Sequence, residues 1–152
     1  MVQEVHGPPA FQRPSGFLFL EAQQDNLVDG VETLVILTGI PIAFTDGIED
    51  TVNHRIITGI AGFYAIAGQV EFTEVVADKD YIVIFKLNAV VLKEAYVHSS
   101  LAANITASFS CPVMWVDAVE HLELFAISNA GVDTVDITHL GRNTFLTAQR
   151  VR

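Results

Sequence analysis

A chain of 152 residues is the length of one domain, and such a chain buries roughly 68–70% of its unfolded surface in a single core. Apolar residues make up 51% of it, charged residues only 17%, and the mean hydropathy is +0.41, so surplus apolar surface is expected in subunit interfaces. The net charge of −10, with 8 scattered basic residues, excludes a binder of nucleic-acid phosphates, and no apolar run approaches the ~20 residues of a membrane-spanning helix.

Residues 1–15 read as an extended N-terminal arm. Pro8, Pro9 and Pro14 fix extended backbone there, and no apolar signal-peptide core is present. A single domain is expected over residues 16–152. From Gly16 onward, short runs rich in β-branched and aromatic residues alternate with turn residues. Strands are expected at Phe17–Glu21, Thr33–Leu37, Ile40–Phe44, His54–Thr58, Gly62–Phe72, Tyr81–Leu87, Val90–Val97, Asn104–Val113, His121–Ile127, Val135–Thr138 and Thr144–Val151. Asp29-Gly30, Thr45-Asp46-Gly47, Ala77-Asp78-Lys79-Asp80, Asn129-Ala130-Gly131 and Gly141-Arg142-Asn143 mark turns between them.

The period of two is clearest in Gly62–Phe72. Tyr64, Ile66, Gly68, Val70 and Phe72 share one face, and Phe63, Ala65, Ala67, Gln69 and Glu71 the other. The second face is small and apolar before it turns polar, which suits a surface half packed against a neighbour. His121, Glu123, Phe125 and Ile127 alternate in the same way with Leu122, Leu124 and Ala126. Many short strands without a helical period imply a sandwich or jelly roll.

The residues that carry chemistry do not assemble into a catalytic pattern. His6, His54, His98, His121 and His139 have no metal-ligand spacing. No Gly-x-Ser-x-Gly elbow occurs, and His98 and Ser99 are adjacent strand positions on opposite faces. Cys111, among Phe109, Pro112, Val113 and Met114, reads as a buried thiol, and as the lone cysteine it excludes an intrachain disulfide. Trp115 is either a core or interface residue or a stacking platform for a ligand. Asp46, Glu49 and Asp50 are either Ca²⁺ ligands or solvated turn residues; no twelve-residue calcium loop is present. No cofactor is expected beyond that ion.

The segment Gly62-Phe63-Tyr64-Ala65-Ile66 resembles the Gly-x-Tyr-x-Phe core strand of the complement C1q and tumour-necrosis-factor-like globular heads. Asn53-His54-Arg55-Ile56-Ile57-Thr58-Gly59-Ile60-Ala61-Gly62 is similar to that family's approach to this strand. Tyr81–Asn88 is similar to its apolar strand ending in Leu-Asn-Gly, and Thr144–Val151 to its closing strand. The resemblance covers residues 33–152. Ile66 and Gly68 stand where the animal heads carry aromatics, and Ala89 stands where glycine follows the Asn, so a primed two-residue turn is disfavoured. These departures, with no collagen-like stalk, resemble the divergent bacterial and phage versions.

The resemblance implies a ten-stranded jelly-roll β-sandwich and a homotrimer, with Phe63, Tyr64, Ile66, Phe125 and Phe145 in its core or interface. It implies a non-enzymatic structural or assembly protein on a virion surface, a capsid decoration protein or fibre head, with capsid or tail proteins as partners. The alternative is an extracellular binding module that recognises a carbohydrate or protein ligand, such as one on a host surface, through its loops.

Overall fold

A computed structural model describes residues 15–40 and 48–151. Its strands are β1 (Ser15–Phe19), β2 (Gln24–Leu27), β3 (Thr33–Leu34), β4 (Glu49–Asp50), β5 (Arg55–Ile57), β6 (Gly62–Thr73), β7 (Lys79–Leu87), β8 (Val90–Ser99), β9 (Ile105–Val116), β10 (His121–Asn129), β11 (Val135–Ile137) and β12 (Phe145–Arg150). A short 3-10 turn, Leu140–Arg142, precedes the last strand. Two six-stranded antiparallel sheets result. One follows β1-β12-β6-β11-β2 with β9 on the far side of β6; the other follows β4-β5-β10-β7-β8 with β3 also on β10. This is the all-β jelly-roll sandwich expected from the sequence, with β2 and β4 as additional short strands.

Burial follows the period of two. Tyr64, Val70 and Phe72 are fully buried and Ile66 nearly so, while Phe63, next to Tyr64 on the other face, is 41% exposed. In β10, Leu122, Leu124 and Ala126 point inward as their alternation predicts. Aromatic rings join the sheets. Phe85 of β7 stacks on Phe109 of β9 with centroids 5.3 Å apart, and Phe72 of β6 meets Tyr81 of β7 at 5.1 Å. The buried phenols find backbone partners. Tyr64 donates to the Ile60 carbonyl at 2.7 Å, and the Tyr81 hydroxyl accepts from the Val76 amide at 2.9 Å.

The sandwich has an open side where β8 and β9, each an edge strand of its own sheet, pack together. Each edge is interrupted by a bulge. Pro112 and Val113 stand opposite the single residue Ala65, and Leu92 is the extra residue between Val91 and Lys93. Bulges and an edge proline blunt strands that otherwise template pairing with another chain.

Several local expectations change. The Asn88-Ala89 turn is primed after all: φ is +48° and +66°, both left-handed as that turn requires, although glycine is missing. The bulge carries β9 past Val113 to Val116, so Trp115 lies in a strand. The expected strand Thr33–Leu37 shrinks to two residues, after which Gly39 bridges to Phe19. Most of the expected strand Ile40–Phe44, and all but Ser15 of the expected arm, lie outside the described residues. Ser15 itself opens β1.

Candidate functional site

On the outer face of the first sheet, the run β1-β12-β6-β9 brings together side chains scattered through the sequence. Phe17, Thr147, Ala67 and Ser110 form one cross-strand row, and Ser15, Gln149 and Ala65 the next. At one end of this face Phe17 stacks on Phe145 at 5.5 Å with 15° between the rings. Phe19 lies beside Phe17 at 6.2 Å, and the Arg142 guanidinium sits 4.5 Å from the Phe19 centroid. At the other end Phe63 and Trp115 pair across β6 and β9, edge to face at 5.3 Å. The Trp115 indole N–H donates to Asp117 Oδ1 at 2.8 Å, which fixes a ring that is 53% exposed.

Between the two aromatic ends the outward positions are small. Ala65, Ala67 and Ser110 replace bulk with space, and a groove of about 430 Å³ crosses the strands. It runs from Ser15–Phe17 over Thr147–Gln149 and Ala65–Ala67 to Ser110 and Cys111, and no charged side chain lines it. Burial raises the Cys111 thiol pKa above its ordinary value, against the pull of Lys93, so the group stays a thiol at neutral pH.

The five aromatic and aliphatic residues singled out in the sequence do not share one surface. Phe63 and Phe145 lie on this outer face, and Tyr64 and Ile66 lie between the sheets. Phe125 lies on the outer face of the opposite sheet, where Lys86 Nζ sits 4.3 Å from its ring centroid while also pairing with Glu32. Sequence spacing missed Phe17 and the Phe17–Phe145 stack, which join the two ends of the described chain. Alternation in β1 points Phe17 outward, but only the β1–β12 register pairs it with β12.

The loops beyond Phe63 and Trp115 are tied down by hydrogen bonds. Val119 N donates to Thr58 O at 2.5 Å, Thr58 Oγ1 to Asp117 O at 2.7 Å, and Asp117 N to Glu120 Oε2 at 2.7 Å. This network holds Val119 at φ +67°, a conformation that β-branched residues avoid, with its side chain 71% exposed.

Of the acidic residues considered for calcium, Asp46 lies outside the described residues. Glu49 Oε1 accepts the Phe17 amide at 3.2 Å, and Asp50 pairs with Arg55 at 3.0 Å and accepts from Asn53. Among the described residues, no three His, Cys, Asp or Glu side chains converge on a metal-sized site. Among the described residues the histidines do not cluster: His54 lies against Leu37 O, His98 against Asp80, and His121 against Arg55. Ser99 is buried and donates to Leu101 O, so it forms no pair with His98.

No protein-family model and no curated protein matches the sequence. Solved structures do match in shape. The tumour necrosis factor Eiger of S. frugiperda superposes with a TM-score of 0.69 at 8% identity, over 92% of this chain and 93% of that one. The globular domain of the zebrafish complement 1qA protein superposes with a TM-score of 0.63 at 7% identity, over 91% of this chain and 98% of that one. No helix among the described residues is long and apolar enough to cross a membrane. The chain has the C1q/TNF-like jelly-roll fold.

Proposed function

We propose that this chain is a non-enzymatic head that self-associates as a homotrimer through the outer face of β1-β12-β6-β9 and serves in assembly or display. A virion surface component, a capsid decoration or fibre head, is the setting we favour, with the segment before Ser15 leading to the particle. The carrying observation is the outer face itself. Phe17, Phe145, Phe63 and Trp115 stand outward on a sheet face whose groove contains no charged side chain, in a chain short of charged residues throughout. Apolar area removed from water contributes about 25 cal/mol per Å², so covering such a face stabilises association. The shared fold with tumour necrosis factor and C1q heads supports the same reading.

A second reading, a module that binds a protein or carbohydrate through its loops, is favoured by the strained and exposed Val119 beside Trp115. Strain held by a surrounding network concentrates at binding sites. Light scattering on the purified chain separates the two: a mass near three protomers supports the assembling head, and a mass of one protomer removes it and leaves the loop-based binder.

A further inference from the structure

We propose that Arg150 is the recognition residue of a binding site at one loop end of the sandwich, and that the occupant is a protein segment carrying a carboxylate beside apolar side chains. This rests on the second reading above, a binder that works through its loops, and does not use the outer face of the first sheet.

Register sets the position of the arginine. Arg150 ends β12 directly opposite Tyr64, and alternation with the buried Leu146 and Ala148 starts its side chain on the inward face. The Tyr64 hydroxyl donates to the Ile60 carbonyl, so this is the end that the loop of residues 58–61 closes. Burial raises the Tyr64 pKa, and the nearby charge of Arg150 opposes that rise. Arg150 Nε is closed to water and has no hydrogen-bond partner among the described residues. The ion pairs among those residues join Arg55 to Asp50, Lys86 to Glu32, and His98 to Asp78 and Asp80; none includes Arg150.

A guanidinium placed in this way has lost part of its hydration without gaining an anion, and an anion brought to it is bound favourably. The acids of the neighbouring loop are already engaged. Asp117 accepts from the Trp115 indole, and Glu120 from the Asp117 amide and the Asn88 side chain. Arg150 as a whole is only partly buried; with Nε closed, the donors left to a ligand are the two Nη groups. One positive charge with paired donors matches a carboxylate, whereas the second charge of a phosphate would go unmatched in a chain of net charge −10. The Debye length at physiological ionic strength is about 8 Å, so the chain's more distant carboxylates are screened from this end.

The surroundings specify the rest of the occupant. Ile60 and Val119 are both exposed, on loops joined by the bond from Val119 N to Thr58 O. A Cβ at Gly59 would meet nothing within 4 Å, so space lies open beside Ile60. Aliphatic side chains next to a cation fit an acidic residue flanked by apolar ones. A sugar stacks on an aromatic ring, and the Phe63–Trp115 pair lies on the opposite face of the sheet from Arg150.

The sealed Nε–H exchanges slowly with water, so at neutral pH it gives an NMR signal that reports on this group. The signal, assigned by through-bond correlation, is followed as a capped leucine-glutamate-leucine peptide is added to the full chain, with the glutamine peptide and sodium chloride as controls. The expected result is a saturable shift of the Arg150 Nε–H and of the Ile60 and Val119 amides. Binding should be weaker by about tenfold or more for the glutamine peptide and for Arg150→Gln, and weakened also by Arg150→Lys, which keeps the charge and loses the fork. The two peptides test the parent alone, so a variant that fails to fold does not decide the matter. Loop amides that shift equally with both peptides, while the Nε–H stays in place, overturn the role of Arg150 and leave the loop-based reading standing. No shift at the loops or at the Nε–H overturns both. A shift that grows with protein concentration in the absence of peptide overturns a separate partner and assigns the arginine to a carboxylate of a second copy.

Discussion

Gly68 of β6 and Phe109 of β9 stand opposite each other in register, and a Cβ at position 68 would lie 2.5 Å from Phe109 Cε1. The glycine is therefore the space that the Phe109 ring occupies on its way to stacking against Phe85 in the other sheet. Gly68→Ala is expected to destabilise the fold by about 1–3 kcal/mol through overpacking. Phe109→Leu in the same chain should recover part of that loss. Chemical denaturation of the two single variants and the double variant measures the coupling, and a Gly68→Ala chain as stable as the parent rejects the packing account.

That relationship also marks where the sequence stops being readable. Alternation from Gly62 to Phe72 assigns the faces of β6 correctly, because burial of one sheet face imposes a period of two on the side chains. Pairings are long-range and leave no local trace. Nothing near Gly68 announces Phe109, and nothing near Phe17 announces Phe145. Strand β2 was missed because Gln24-Asp25-Asn26-Leu27 has only Leu27 to bury, and its place is set instead by pairing with Val135 and Ile137 and by Asp136 accepting the Asn26 amide. The two-residue β4 was missed because Glu49 and Asp50 carry no apolar signal, and their position comes from the pairing with Arg55 and Ile56. The groove was legible only as a hint: the small, apolar outward positions Ala65 and Ala67 are visible in the sequence, but the bulge at Pro112 opposite Ala65 is not.

If the outer face is the association surface, a charge placed in its aromatic end should separate the protomers without unfolding them. Phe145 is only partly buried and stacks on Phe17, so Phe145→Asp puts a carboxylate into the contact while leaving the inward side of β12, Leu146 and Ala148, untouched. Burying an unpaired carboxylate costs several kcal/mol, far more than one side chain's apolar contribution. The expected result is a monomer by light scattering with an unchanged circular dichroism spectrum. A variant that keeps the parent's mass excludes this face as the interface.

The hairpin joining β7 and β8 carries removable strain. Ala89 sits at φ +66°, and a left-handed residue with a Cβ costs roughly 1–2 kcal/mol relative to glycine. Asn88 is held on the other side of the turn, donating its amide to His121 O at 2.9 Å and accepting from His121 N at 2.8 Å. Ala89→Gly should therefore raise the thermal or denaturant midpoint, with a gain of about 1 kcal/mol. Val119→Gly should stabilise in the same direction at φ +67°. If Val119 contacts a ligand, that gain comes with weaker binding, whereas Ala89→Gly leaves binding alone.

Asp50 supplies a pH dependence with a definite sign. Hydrogen bonding from the Asn53 side chain, partly opposed by burial and reinforced by the Asn53 amide and Arg55, holds its carboxyl pKa below the ordinary value of 3.8. In the window beneath 3.8 the unfolded chain binds more protons at this position than the folded one, so stability rises with pH there. The contribution is fully present above the unfolded value and is lost as the pH falls through the folded one. Asp50→Asn removes that titration and weakens the link to Arg55, so its stability should be flatter with pH in the acid range and lower at neutral pH by about 1 kcal/mol or less, the scale of a partly exposed ion pair. Parallel acid profiles for parent and variant reject the assignment. The same pair of proteins tests the calcium alternative. A carboxylate already engaged by Asn53 and Arg55 gives calcium little to gain, so added Ca²⁺ should leave the parent's midpoint where it was. A calcium-dependent rise in the parent that Asp50→Asn abolishes would return this residue to an ion site with Glu49 and Asp46.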